Sequence, residues 1–341
     1  GAEAAQVVGL GGATGGGDPP VAGPGEQGPR PAGPPAAMRK HFVQGDLTWV
    51  DVMYPTRDEV YALGEHHGFH PLHVEDVLSR IQRPKLDDNE EPDYAFLVLH
   101  FPLFDEVERL SVISEVDIFV GPNFVVTFHD GRLRPMRRLT QTAADERGAE
   151  LLLGRGTGFL LYRIIEALIN YCFPMLYRLD EKLDAVEEVM FKQDGQRVVE
   201  ELSYIRRDII ALRRIIRPNI PVVRLLAGRE RDYLRLDEEA YFGDLVDGLN
   251  RLWDMLEEQK EIIEGLDSTL FNVMSNRLNQ EMKLFTLITV ILGPMTLISG
   301  ILGMNVLIPG AEQPWALPIV LFAMVLIGAV LFLYFRHRRL I

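Results

Sequence analysis

Residues 284–304 read LFTLITVILGPMTLISGILGM, an uncharged run close to the length of about 20 residues that a helix needs to cross a bilayer. A second uncharged run, WALPIVLFAMVLIGAVLFLYF, occupies residues 315–335. One such run could be a buried helix of a globular domain, whereas two in tandem predict a pair of membrane spans. We therefore expect the chain to cross a membrane, turn within residues 305–314, and cross back.

Charge predicts the orientation of this helical pair. The loop between the spans has one charged residue, Glu312. Basic residues flank the outer ends of both spans: Arg277, Lys283, Arg336, Arg338 and Arg339. Because basic flanks stay on the cytoplasmic side, both termini are expected in the cytoplasm and the loop outside. This arrangement predicts a multi-pass protein of the cytoplasmic (inner) membrane, whose basic tail, including His337, lies near lipid headgroups.

Small and polar residues recur along the first span, and along the residues before it, at alternating spacings of four and three. The positions are Ser275, Asn279, Met282, Thr286, Thr289, Gly293, Thr296, Gly300 and Gly303, all small or polar except Met282. Such a stripe has two interpretations: a face on which small residues let helices pack closely, or the wall of a pore. Threonine and asparagine favour the pore, because glycine and alanine alone would satisfy packing. Pro294 interrupts the span and is expected to kink or loosen the helix.

The composition of the remaining chain excludes some classes of protein. A formal net charge of −14 argues against nucleic-acid binding, which requires a basic surface. The single cysteine, Cys172, permits no intrachain disulfide and is expected to be a small core residue. About half of residues 1–37 are glycine or proline, which predicts disorder. Met38 is a plausible native start, in which case residues 1–37 are an extension.

The residues ahead of the spans predict strands followed by helices. YAFLVLH (94–100) and VDIFVGPNFVVTF (116–128) are rich in β-branched and aromatic residues, and Gly121-Pro122-Asn123 predicts a turn inside the second run. From about Thr157 onward the apolar period is helical.

The last part of this helical region predicts one very long helix. Residues 241–303 contain no proline before Pro294, and a helix of that length extends about 90 Å. Pro218 and Pro221 are expected to break the helical stretch that precedes it.

The tripeptide Gly303-Met304-Asn305 directly follows the first span and precedes a short loop, a last span and a basic tail. In this placement it resembles the signature of the CorA family of divalent-cation channels. Other similar stretches are HPLHVEDVLSRIQRPK (70–85), YAFLVLHFPLFD (94–105), YRLDEKLDAVEEVMF (177–191) and NQEMKLFTLITVILGPMTLISGILGMN (279–305). The resemblance extends from about Trp49 to the C-terminus.

The resemblance implies a homopentamer with an α+β cytoplasmic funnel, a very long stalk helix that lines a central pore, and a second transmembrane helix around it. The implied divisions are the Gly/Pro-rich extension (1–37), the α/β funnel domain with a helical hairpin (38–240), the stalk helix continuing into the first transmembrane helix (241–304), the extracytoplasmic loop (305–314), the second transmembrane helix (315–335) and the basic cytoplasmic tail (336–341).

In the family, the asparagine of the tripeptide is the selectivity residue, and the resemblance carries this role to Asn305. Mg²⁺ gives up its water reluctantly, so a ring of Asn305 amides would hold the hydrated ion, with Gly303 and Met304 completing the site. Met282, together with Phe285, would form a hydrophobic constriction that closes by dewetting. The expected pore-lining residues are Asn279, Met282, Thr286, Thr289, Gly293, Thr296 and Gly300.

The resemblance also implies a regulatory metal site between subunits. The matching carboxylates are Asp105, in LFDE, and Asp244, in YFGDLVDG. Carboxylates suit Mg²⁺, so a high internal concentration of the ion would bridge neighbouring subunits and hold the pore shut. Asp180, Asp184 and Asp247 are interpreted as solvated helix acids.

Two departures from the family pattern bear on the transported ion. Leu302 and Val306 stand where magnesium channels carry aromatic residues, and VLIPGAEQPW replaces the acidic loop. Mg²⁺, with Co²⁺ and Ni²⁺ as look-alikes, is the first expectation because Asn279, Met282 and Met304 are retained. The alternative is a ZntB-like Zn²⁺ transporter, with or without proton coupling.

Hypotheses from other classes are weaker. A membrane-tethered metal sensor, or an assembly scaffold without ion flux, would not need the polar stripe on the first span. We expect no enzyme, because the sequence has no nucleophile elbow, P-loop or dinucleotide fingerprint. The histidine-rich segment 66–73, with Glu65, lacks an HExxH motif or a cysteine pair and is interpreted as ordinary helix residues.

Overall fold

A computed structural model describes residues 38–79, 82–190, 195–229, 231–234, 240–304 and 313–338. The strands within these ranges are β1 (Met38–Gln44), β2 (Leu47–Met53), β3 (Lys85–Asn89), β4 (Tyr94–Asp105), β5 (Leu110–Val120) and β6 (Phe124–His129). The helices are α1 (Arg57–His67), α2 (Pro71–Leu78), α3 (Arg134–Ala143), α4 (Glu146–Leu153), α5 (Thr157–Met190), α6 (Gly195–Ile216), α7 (Asn219–Ala227), α8 (Ala240–Leu302) and α9 (Ala316–His337).

The described strands form one mixed sheet in the order β1-β2-β6-β5-β4-β3. Strands β2 and β6 are parallel, and the other neighbouring pairs are antiparallel. The β4–β5 pair is long and central, with Ala95 opposite Val120 at one end and Asp105 opposite Leu110 at the other. Most of β4 is buried because helices cover both faces of the sheet, which explains its nearly continuous apolar sequence.

The two faces of the sheet pack against different helices. One face lies under α1 and α2, and its largest fully buried side chains are Tyr94, Phe96, Phe119 and Phe128. The other face, which includes Trp49 and Leu97, belongs to a core shared with the helices from α3 to α8. Successive strand residues point to opposite faces, so the sheet joins two hydrophobic clusters.

The turn predicted inside residues 116–128 is confirmed. Strand β5 ends at Val120, β6 begins at Phe124, and the Gly121 N–H donates to the Phe124 carbonyl oxygen at 2.9 Å. A Cβ atom at Gly121 would lie only 2.3 Å from the Phe124 ring, so this tight turn needs glycine. Strands β1, β2 and β3 were not anticipated from the sequence.

We call residues 38–270 the cytoplasmic part, because the basic flanks of the spans predict this location, and α5 is its central helix. By length and composition it could cross a membrane, but 61% of its most apolar window is buried inside the protein. Cys172 lies in this helix, fully buried, with its Sγ donating to the Leu168 carbonyl oxygen at 3.4 Å. Burial raises the pKa of the Cys172 thiol, so this residue is the small core side chain that was expected.

Proline affects the helices before α8 in two ways. Helix α6 ends at Ile216, two residues ahead of Pro218, as the sequence predicted. The same prediction was wrong for Pro221, which lies inside α7. It is the third residue of that helix, in the first turn, where a missing N–H costs no intrahelical hydrogen bond.

Candidate ion pathway

Helix α8 has 63 residues, which correspond to about 95 Å at 1.5 Å per residue. Its apolar residues are buried in the cytoplasmic core as far as Leu270. We call residues 271–283 the neck, since they leave that core and carry many polar side chains. Residues 284–302 form the apolar span, about 28 Å long, which matches the hydrocarbon thickness of a bilayer. The helix continues through Pro294 without interruption.

The apolar span of α8 packs against α9 along one face. The half-buried residues of this span are Leu287, Ile291, Pro294, Met295 and Ile298. Across the contact, Gly328 is buried, and a Cβ atom there would lie 2.3 Å from Met295 Cε. The sequence analysis missed Gly328, although a glycine in a span of large apolar residues is a known signal of close helix contact.

The small and polar stripe lies on the opposite face of α8. Thr289, Gly293, Thr296 and Gly300 are all exposed, and they line a shallow groove that continues to Met304. At 100° per residue, these positions lie about half a turn around the helix from the residues that contact α9. The stripe is therefore not used for packing between the two spans of one chain.

The threonine hydroxyls of the stripe bond back to their own helix. Thr286, Thr289 and Thr296 each donate to the carbonyl oxygen four residues earlier, at 2.7, 2.8 and 2.9 Å. A hydroxyl group that has donated its proton still has lone pairs that accept hydrogen bonds. The exposed oxygens are thus suited to accept hydrogen bonds from water, including the water shell of a cation.

The first two residues of the predicted selectivity tripeptide lie at the end of this stripe. Gly303 and Met304 extend the helix by two more hydrogen bonds, to the carbonyl oxygens of Ser299 and Ile301, and both residues are exposed. Asn305, which carries the predicted selectivity role, lies outside the described residues. The same holds for most of the loop, through Glu312.

The neck and the end of α9 form a groove with polar and apolar lining residues, at the end of the spans that is expected to be cytoplasmic. Asn279, Met282 and Thr286, all predicted to line the pore, contribute to it together with Lys283 and Phe335. The side chains of Met282 and Phe285 are more than half exposed. Phe335 was not singled out from the sequence.

The basic tail is described only through Arg338, so Arg339 lies outside the described residues.

Asp105, the first predicted regulatory ligand, lies at the last position of β4. Its Oδ1 accepts hydrogen bonds from the backbone N–H groups of Val107 and Glu108, at 2.9 and 3.1 Å. This carboxylate therefore closes the turn between β4 and β5, while Oδ2 makes no hydrogen bond within the described part of the chain. The preceding residue, Phe104, lies beneath the ammonium of Lys182 on α5, 5.3 Å from the ring centroid.

Asp244, the second predicted ligand, is exposed in the first turns of α8. It lies near Tyr162 on α5, whose hydroxyl donates to Glu166 at 2.9 Å. Burial is the largest cause that raises the pKa of Tyr162 to about 12, and the negative charges of Glu166 and Asp244 add to it. Asp244 therefore lies near a second carboxylate, that of Glu166, which is itself ion-paired with Arg163 at 2.6 Å.

The two predicted ligands are far apart within one chain. Asp244 lies near Tyr162 of α5. Asp105 directly follows Phe104, which packs against Lys182 of the same helix. The 20 residues between these positions correspond to about 30 Å along the helix. One chain thus cannot bring both carboxylates to one ion.

Of the three other acids considered from the sequence, Asp184 and Asp247 are exposed, whereas Asp180 accepts a hydrogen bond from Gln259 at 2.7 Å.

The histidines of the segment 66–73 have individual structural contacts. His70 caps α2 by accepting from the Leu72 N–H at 3.2 Å, and His73 contacts the Tyr94 hydroxyl at 2.9 Å. His67 stacks on Phe69. No group of three or more histidine, cysteine or acidic side chains that could hold a metal ion occurs among the described residues.

Comparison with known proteins adds independent evidence. The family described as CorA-like Mg²⁺ transporter protein matches residues 44–338. The cobalt/magnesium transport protein CorA of Thermotoga maritima is 29% identical over 294 residues, which cover 86% of this chain and 83% of that protein.

Two solved structures share the fold. The CorA magnesium transporter of Methanocaldococcus jannaschii gives a TM-score of 0.75 at 24% identity, over 85% of this chain and 90% of that one. The ZntB cytoplasmic domain of Vibrio parahaemolyticus gives a TM-score of 0.53 at 16% identity, over 67% of this chain and 88% of that one. The expected α/β domain, long helix and pair of C-terminal apolar helices are thus confirmed as a fold.

The match to the family covers strands β2 to β6, the helical part and both apolar helices. The exposed spans of α8 and α9 are consistent with a membrane protein, since 0% and 6% of their most apolar windows are buried. Proteins of this family are transporters and not enzymes, in agreement with the sequence analysis. The chain belongs to the CorA-like Mg²⁺ transporter family and is a divalent-cation transporter of the membrane.

Proposed function

We propose that the protein is a homopentameric channel for Mg²⁺ influx across the cytoplasmic membrane, with Co²⁺ and Ni²⁺ as further permeant ions. The observation that carries this proposal is the position of the stripe on α8. Its threonine oxygens and glycines face away from α9, so they are free to meet the same face of other copies around a central axis.

In this pore the ion keeps its water shell. Threonine oxygens at positions 286, 289 and 296 accept hydrogen bonds from the coordinated water, which suits an ion that dehydrates reluctantly. A ring of Asn305 amides selects the hydrated ion at the outer mouth, next to Gly303 and Met304. Met282 narrows the cytoplasmic end, where an apolar ring closes the pore by dewetting.

Cytoplasmic Mg²⁺ regulates the pore through Asp105 and Asp244 of neighbouring subunits. The separation of about 30 Å within one chain, derived from the helical rise, excludes an intramolecular pair and favours a bridge between copies. Bound Mg²⁺ holds the closed arrangement, and its loss lets the acidic surfaces around Asp244 repel each other. The termini lie in the cytoplasm, as the basic flanks of the spans predict.

The test is ion uptake into liposomes that contain the purified protein and a Mg²⁺-sensitive dye. We expect rapid Mg²⁺ entry driven by a negative internal potential and an altered rate or selectivity in Asn305→Ala. Asp105→Asn and Asp244→Asn should each weaken inhibition by Mg²⁺ on the cytoplasmic side. The matched control is Asp247→Asn, an exposed acid one turn further along α8.

A second candidate is Zn²⁺ transport, favoured by Leu302 and by the loop with a single acid in the sequence. The same liposomes with Zn²⁺ outside and a pH gradient separate the two ions. Zn²⁺ flux that depends on the proton gradient, with little Mg²⁺ entry, would replace the magnesium proposal. Absence of flux for every divalent ion would instead favour a membrane-tethered metal sensor.

A further inference from the structure

A cleft in the cytoplasmic part, remote from the spans, lies between the edge strand β1 and helix α1. In the β1–β2 pair, Arg39 lies opposite Val52 and His41 opposite Val50. Val50 and Val52 belong to the cluster under α1, so Arg39 and His41 point to the same side of the sheet. His66, near the end of α1, provides part of the facing wall.

The size of this cleft suits a small molecule. Its volume is about 620 Å³, within the range of about 300–1,000 Å³ typical of small-molecule sites. Thr48 and Val50 line its base. The cleft forms because β1 is the edge strand and α1 covers this face of the sheet only in part.

The charge of the cleft is opposite to the charge of the chain. Its ionisable lining residues within the described part of the protein are all basic: Arg39, His41, His66 and His67. Thr48 and Asn123 add neutral hydrogen-bond donors. This composition occurs in a chain whose formal net charge is −14. Arg39 makes no ion pair with any described residue, so its guanidinium can serve a ligand.

His67 gives the cleft a rigid aromatic wall. Its ring stacks on Phe69 with the centroids 5.3 Å apart and lies 4.5 Å from the Phe124 ring centroid. Burial lowers the pKa of His67 to about 4, and the neighbouring His66 and His41 contribute to this lowering. The imidazole of His67 is thus neutral at physiological pH and adds an aromatic ring to the wall of the cleft that also contains Arg39.

We propose that this cleft binds a nucleoside phosphate, with the phosphates against Arg39, His41 and His66 and the base against the wall formed by His67 and Phe124. The Arg39 guanidinium can form short, charge-assisted hydrogen bonds to phosphate oxygens, and an imidazole N–H can donate a further one. The aromatic wall provides the apolar, planar contact that a purine or pyrimidine ring requires. The site does not depend on which ion the membrane part conducts.

The test is calorimetric titration of the full-length protein in detergent, with EDTA present so that Mg²⁺ does not contribute. ATP is the probe, and inorganic phosphate and adenosine are titrated separately to resolve the two parts of the ligand. We expect ATP to bind more tightly than either fragment. The double variant R39Q/H41Q should lose roughly tenfold or more in ATP affinity, because it removes charge-assisted contacts.

The matched control is Arg57→Gln, at the start of the same helix α1 and about 14 Å from His66 along its axis. It should bind ATP like the unaltered protein. His66→Gln, an exposed substitution on a helix surface, provides a second variant if R39Q/H41Q has a lowered melting temperature. No ATP binding up to about 5 mM, a concentration at which even millimolar Kd values are measurable, would overturn the proposal. Equal ATP affinity in R39Q/H41Q and R57Q would overturn it as well.

Discussion

The two halves of helix α8 both carry leucines at regular intervals, but these leucines find different partners. In the cytoplasmic half, Leu252 and Leu256 are 0% exposed, because α5, α6 and α7 of the same chain surround them. In the membrane half, Leu292 and Leu297 are 52% and 65% exposed. The first half is stabilised within one chain, whereas most of the apolar surface of the second half is left uncovered by that chain.

Along helix α8, the residues that determine folding stability are therefore different from those expected to determine ion transport. Substitutions in the cytoplasmic half should act on the unfolding of a single chain. Substitutions on the stripe of the membrane half should act on ion flux and leave unfolding of the cytoplasmic part almost unchanged. The predictions below compare matched residues from the two halves, or from neighbouring elements.

The largest expected effect is that of Leu256→Ala. It removes a fully buried side chain and leaves a cavity, which should cost about 3 kcal/mol of unfolding free energy. Its match is Leu297→Ala on the exposed surface of the membrane half. Thermal unfolding of both variants in detergent measures the difference. Equal losses in the two variants would contradict the division of α8 into a buried and an exposed half.

The next effect is that of Gly328→Leu in α9. Its side chain would collide with Met295 and separate the two spans, at a cost of about 1–3 kcal/mol. Adding Met295→Ala should recover part of the loss, and the melting temperature in detergent measures both variants.

The control glycine is Gly265, in the cytoplasmic half of α8, where a Cβ atom would meet only open space. Gly265→Ala should stabilise the protein by up to about 1 kcal/mol, because alanine restricts the unfolded chain and favours helix. No effect of Gly328→Leu would show that the contact between the spans is not as close as described, and destabilisation by Gly265→Ala would show that Gly265 does not face open space.

A smaller effect, confined to flux, is expected for Thr296→Val. The change keeps the shape of the side chain but removes the oxygen that accepts from the hydrated ion, which should slow Mg²⁺ uptake roughly fivefold, for a loss of about 1 kcal/mol. Thr269→Val is the match, since Thr269 donates to the Gly265 carbonyl oxygen in the same way but lies in the cytoplasmic half. Liposome uptake should be unchanged in Thr269→Val, and similar slowing in both variants would contradict a pore at the stripe.

The smallest effect concerns pH and the buried Asp117 of β5. Its Oδ1 has no hydrogen-bond partner within the described residues. Burial is the main reason that the pKa of Asp117 is raised well above its usual value, and the charges of Glu115 and Asp76 add to this. In the unfolded chain the carboxyl group has a pKa of about 4 and releases its proton above that pH. In the folded chain Asp117 still keeps its proton there, because its pKa is raised.

It follows that the contribution of Asp117 to stability is fully present below about pH 4 and is lost as the pH rises toward the raised folded value. Asp117→Asn cannot release a proton. Melting temperatures of both proteins are measured between about pH 5 and about pH 8. Over this range the melting temperature of the unaltered protein should fall by a few degrees relative to that of Asp117→Asn. A constant difference across this range would contradict the prediction.

The sequence by itself determined the features that depend on local composition and period. The two spans, the turn at Gly121 and the long helix followed from uncharged length, turn chemistry and the absence of proline before Pro294. The stripe of small and polar residues on α8 followed from its spacing. Whether it packs against another helix or lines a pore could not be decided from the sequence, because periodicity does not say what a helix face contacts. The family followed from the position of Gly303-Met304-Asn305.

Tertiary structure decided everything that depends on which surfaces meet. Strand β2 is held by parallel pairing with the distant strand β6, which also places β1 at the edge of the sheet. The apolar helix α5 is a core helix only because the sheet and α8 surround it. The contact of Met295 with Gly328 turns the stripe away from α9, and the register of β1 on β2 brings Arg39 and His41 toward α1. The periodicity of the sequence determines which residues share a face of a helix or strand. Long-range packing determines which other part of the protein that face contacts.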